Sequence, residues 1–171
     1  MWPSKQVEAV PEMGVNKKIY FPKIRLTELV MKPGGMTRDD AVAAAVRNVQ
    51  SISGEGDAVM VASILELEKI VAASGGKLDA ATLDAVLIHA DQIITLSGTF
   101  GYDTLDRATR SLCDTVECLQ AAKSDAVAPV AVHVDAMRLF APGKVVATGA
   151  AAEAVLAELA LVQAHYRSKV A

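Results

Sequence analysis

From Thr37 to Arg167 the apolar residues recur at spacings of three and four, and short runs of Gly, Pro and Ser interrupt them. No convincing strand pairs appear, so the chain must bury its apolar stripes helix against helix. Val42, Ala45, Val46 and Val49 set the pattern, and Val59, Ile64, Leu67, Ile70 and Val71 continue it. One long helix from Arg38 to about Ala73 is therefore expected, in preference to two. Thr37 is its N-cap, and Asp39 and Asp40 suit its positive first turn. "SGEG" (53–56) weakens its middle, because each glycine costs about 1 kcal/mol relative to Ala.

Four more helices follow by the same reading. "LDAATLDAVLIHADQIITLS" (78–97) starts behind Asp79 as a possible cap, and "GTFG" (98–101) ends it. The segment 103–123 carries a stripe of Leu105, Ala108, Leu112, Val116 and Leu119. The segment 124–140 tolerates Pro129 if it falls in the first turn. Residues 150–168 form the last helix, after a loop at 141–149. Short loops imply antiparallel neighbours. The expectation is an all-α, up-and-down antiparallel four-helix bundle over 37–171. An N-terminal arm over 1–36 precedes it, with a short helix at 22–30 that places Leu26, Leu29 and Val30 on one side.

With 171 residues and a net charge of −3, the chain has no basic cluster to suggest a nucleic-acid or anionic-membrane partner. No run of 18 apolar residues predicts a membrane span. The opening "MWPSKQVEAVPEMGVNKK" reads as an arm, not an export signal. Cys113 and Cys118 sit about 140° apart around a helix, a poor geometry for a mutual disulfide. They fit small apolar fillers in a reduced, cytoplasmic protein. His133 and His165 lack a helical ligand partner, so neither a metal nor a cofactor is expected. "GTFG" joins helix to helix with no strand before it, unlike a phosphate loop. Phe100, between glycines, is expected to plug the end of the bundle.

The stretch "HADQIITLSGTFGYDTL" resembles the signature of histidine phosphotransfer (HPt) domains, which relay phosphate between histidine kinases and receiver domains. That signature carries an acceptor His, Lys at +3, Gly at +4, Gly at +7 and Gly at +10, then a Leu. Gly98, Gly101 and Leu105 match its tail, and Glu117 and "RATRSL" suit the helix that follows. Asp91 stands where the acceptor His belongs, and Ile94 and Thr95 replace the Lys and the first Gly. The resemblance implies a degenerate, non-enzymatic member that keeps the scaffold and binds a receiver or kinase. Asp84, Ile88, Asp91, Gln92 and Thr95 would form the binding face, and Gly98, Phe100, Gly101 and Leu105 the structural turn. "KPGGMTRDDAVAAAVRNVQSI" (32–52) also resembles the start of CheE-type chemotaxis proteins of alphaproteobacteria.

Two other readings stand beside it. One is active phosphotransfer through an atypical His such as His89. On a wheel with Leu83 at the origin, Leu87, Ala90, Ile94 and Ser97 mark a buried face, Asp91 falls near +80° and His89 near −120°. His89 is thus expected on a helix flank, unable to replace position 91. The other reading is a structural or oligomerising bundle. Small-residue faces such as "AVAAAV" (41–46) and "AAAEAVLAELALV" (150–162) would allow a homodimer seam.

Overall fold

The computed structural model describes residues 34–144 and 149–169. The arm's short helix at 22–30 lies outside them. Among the described residues the chain is all-α, with six helices and an isolated bridge between Lys77 and Ala126. They are α1 (Arg38–Ser51), α2 (Ser53–Ala73), α3 (Ala80–Phe100), α4 (Asp103–Ala121), α5 (Ala128–Phe140) and α6 (Ala150–Arg167). Contacts divide the chain between Ala41 and Val42. In the first unit, Thr37 Oγ1 accepts from the Asp40 amide at 3.1 Å and donates to the Asp40 carboxylate at 2.7 Å.

The second unit holds the packed helices. The expected single helix over 38–73 is two helices, broken at Ile52. There the bonds tighten to a three-residue step: Ile52 N–H reaches Val49 O, and Glu55 N–H reaches Ile52 O. Gly54 and Gly56 fall inside the first turn of α2 and are not the break. α2 packs on α3, α3 on α4, α4 on α5, and α5 returns to α2. α6 lies against α4 and α5. Five of the described helices therefore pack together as a bundle.

Cross-helix bonds give the directions. Ser63 Oγ donates to Gln92 at 3.1 Å, and Gly56 lies against Phe100, so numbers rise on α2 as they fall on α3. Gln120 donates to Asp84 and Ser97 pairs with Asp106, so α3 and α4 are antiparallel. Arg107 meets Glu153, and Gln163 donates to Asp114, so α4 and α6 run parallel. α5, between them in sequence, crosses back.

α4 buries seven residues, from Leu105 through Ala108, Leu112 and Val116 to Leu119, the stripe expected from its sequence. Asp79 caps α3 as anticipated, accepting from the Thr82 amide at 2.8 Å. Pro129 sits in the first turn of α5. That helix begins at Ala128 and not at 124.

Candidate functional site

The corner between α3 and α4 differs from its expected form. α3 does not stop at Ser97 but runs through Gly98 and Thr99 to Phe100. Gly101 alone makes the turn, in the left-handed region at φ 80°, and its N–H bonds to Ser97 O. That conformation suits glycine because a Cβ there is strained. Gly98 is an exposed helical residue with open space where a Cβ would be. Phe100 is half-buried, with its ring lying over Gly56. A Cβ on Gly56 would overlap that ring. Tyr102 OH donates to Asp57 Oδ1 at 2.8 Å and ties the same corner to α2. Burial, then the bond to the Asp57 carboxylate, pushes the Tyr102 hydroxyl above its usual range. Leu105 follows, fully packed in the core.

α3 turns its core face further than the wheel implied. Leu83, Val86, Ala90, Ile93 and Ser97 are buried, while Leu87 and Ile94 are only half-buried. The face is rotated by roughly 40° toward His89. Small side chains on α2, Gly56 and Ser63, meet this side of α3 and allow close approach.

The rotation leaves Asp84, Ile88, Asp91, Gln92 and Thr95 all exposed. Ile88 is 62% exposed, a large apolar side chain in water on the outer side of α3. Asp84 is held toward α4 by the Gln120 amide at 2.8 Å. Gln92 is held toward α2 by Ser63. Thr95 Oγ1 donates back to the Asp91 carbonyl at 2.9 Å, and the Asp91 carboxylate has no ion-pair partner among the described residues. Across the seam on α4, Cys113 is half-buried. Its thiol is pushed up to about 11 by burial first, then by Asp114, Glu117 and Asp91. It stays protonated at neutral pH, a poor nucleophile and a small packing group. Cys118 is also free and half-buried.

His89 lies on the α2 side of α3 and is half-buried. Its Nδ1 is enclosed and has no hydrogen-bond partner. It is near enough to Glu66 to help hold that carboxyl low, after the larger effects of Lys69. His133, which offered no pattern in the sequence, is fully buried. Its Nδ1 is 2.7 Å from the Pro129 carbonyl and its Nε2 is 3.0 Å from Ser111 Oγ. A neutral ring satisfies both, donating to the carbonyl and accepting from the hydroxyl. Burial holds its pKa below the ordinary value, against the opposing pull of Pro129. Nothing in the local sequence marks Ser111, 22 residues away, as its partner. His165 is exposed in the last turn of α6, edge-on to Tyr166 at 5.3 Å.

No group of three or more His, Cys, Asp or Glu among the described residues could hold a metal ion. No described helix is long and apolar enough to cross a membrane. Comparison with protein-family models, curated proteins and solved structures gives no match.

Proposed function

We propose that this protein is a non-enzymatic, HPt-like interaction module of a bacterial two-component or chemotaxis pathway. It acts in the cytoplasm, and its partner is a response-regulator receiver or a histidine kinase. The observation that carries the reading is Ile88, exposed on the outer side of α3 with Asp84 and Asp91 one turn away on either side. An apolar side chain left in water beside fixed charges suits a protein-docking surface. Asp91 keeps a carboxylate where an HPt acceptor would gain and lose a phosphate, so the face would hold one charge state. The chemistry itself has no acceptor at that position.

An NMR titration with receiver domains from the same genome tests this. The expected result is amide shifts centred on residues 84–95, with binding weakened at least tenfold by Ile88→Asp. Binding elsewhere, or none to any receiver or kinase, would defeat the proposal.

The second reading is phosphotransfer through His89, whose ring is half-buried with its Nδ1 enclosed. Transfer of label from a phosphorylated receiver, repeated with His89→Gln, separates the two readings. Label on the wild type that disappears in the variant would establish the active protein instead.

A further inference from the structure

The outer seam between α3 and α4 carries one sign of charge. α3 has no Lys or Arg along its length. α4 has two arginines, and carboxylates engage both: Glu153 holds Arg107 and Asp106 holds Arg110. Asp84, Asp91 and Glu117 are exposed, with no ion-pair partner among the described residues. By contrast, the other seams pair both signs, Glu68 with Arg138 between α2 and α5, and Asp114 with Arg167 between α4 and α6.

The bonds Ser97–Asp106 and Asp84–Gln120 fix the two helices near either end of the seam. Between them, Asp91 from α3 and Glu117 from α4 both come close enough to the Cys113 thiol to raise it. The free carboxylates are therefore gathered on one strip. Leu87, Ile94 and Cys113 lie half-buried along it, and Ile88 stands 62% exposed at its edge. The strip thus has an apolar floor and an acidic rim.

We propose that the partner surface seated on the Ile88 face is a basic amphipathic helix, with an apolar row over Leu87, Ile88 and Ile94 and with Lys or Arg beside Asp84, Asp91 and Glu117. The proposal rests on the reading of α3 as the docking face and adds the chemistry of what docks there. The trough between two antiparallel helices accepts the ridge of a third, which favours a helix over a loop. Charge selects the occupant. A second copy presenting the same strip would set carboxylate against carboxylate, and a nucleic acid or an anionic membrane would be repelled in the same way. Rim charges of this kind govern encounter and choice of partner, so the complex should weaken as salt rises.

Two synthetic helical peptides of about 18 residues test it, with the same leucine row flanked by lysines in one and by glutamates in the other. Each is titrated into the labelled full chain and followed by NMR. The lysine peptide is expected to shift amides in 84–95 and 110–120, and to lose affinity at least about fivefold between about 50 and about 300 mM salt. The glutamate peptide is expected to shift neither segment. Asp91→Lys with Glu117→Lys should weaken the lysine peptide at least about tenfold. Asp135→Lys with Glu158→Lys, which changes charge equally on exposed positions of α5 and α6, should leave it bound. Asp91→Asn with Glu117→Gln keeps the test open if the lysines disturb folding, and should weaken binding by a smaller factor. Failure of the lysine peptide to bind, equal binding of both peptides, or equal loss in the two Lys pairs overturns the proposal. A receiver or kinase that shifts 84–95 but is indifferent to the Asp91/Glu117 pair would overturn it while leaving the docking face standing. A lysine peptide that binds here when no receiver or kinase does would uphold the basic partner and defeat the pathway assignment.

Discussion

Gly56 and Gly98 are both glycines inside helices, and their surroundings assign them opposite roles. At Gly56 a methyl group meets the Phe100 ring. Gly56→Ala should therefore cost about 1–3 kcal/mol as an overpacking change. At Gly98 a methyl group meets nothing within 4 Å. Gly98→Ala should gain up to about 1 kcal/mol from helix propensity. Urea unfolding of the two variants checks the contrast; equal effects of one sign would contradict it. His133 sets a second residue-scale test. Its folded pKa lies below the ordinary value of 6.5 because the ring is buried. The unfolded chain then binds a proton that the folded chain does not, so stability rises with pH in that window. The contribution is complete above about 6.5 and is lost as pH falls toward the folded pKa, at up to about 1.4 kcal/mol per unit. Denaturation midpoints from pH 7.5 to 5.5, compared with His133→Gln, should show a smaller pH slope in the variant.

Among the elements, α6 is held by a narrow buried edge of Ala152, Leu156 and Leu159 and by polar ties to α4. Arg107 reaches Glu153 from an exposed position, and such a pair adds little. Gln163 and Arg167 share Asp114 at 2.5 Å and 3.7 Å. Leu159, 1% exposed, is the deepest anchor. Leu159→Ala should cost about 2–5 kcal/mol. It should also raise hydrogen exchange in 150–167 before it does so in α3 or α4, because local openings follow the weakest packed unit. Uniform loss of protection across all helices would show that α6 is not a separate unit.

At the scale of the whole molecule, the existence and order of the packed helices were legible in the sequence because three-and-four spacing is a local signal. The stripe of α4 and the caps at Thr37 and Asp79 were read correctly for the same reason. Part of what escaped depended on partners distant in the chain, and part on which of two nearby residues makes a turn. The rotation of α3 is set by Gly56 and Ser63 on α2, which no window around residue 90 contains. The end of α3 was misplaced because Gly98 looked like a stop, while the left-handed turn belongs to Gly101. The break at Ile52 comes before the glycines that seemed to invite it. Of the candidate site, the exposed set from Asp84 to Thr95 could be listed from the wheel. The burial of His133 against Ser111 could not, since it is made by α4 and α5 meeting.

The notch at Gly56 has a consequence for uniqueness. α2 is apolar around most of its circumference: Met60, Ile64 and Leu67 face inward, while Val59, Val61 and Leu65 stay in water. A helix of that kind is told by its composition to be covered, but not which way round. A hole in one helix that takes an aromatic ring from another resolves the ambiguity as a key and ward resolve a lock. Slide α2 by one turn, or roll it by one residue, and the ring meets a side chain where it had a vacancy. A single missing methyl group thereby selects one alignment from several of comparable oiliness, alongside the ties that Asp57 and Glu68 make to Tyr102 and Arg138.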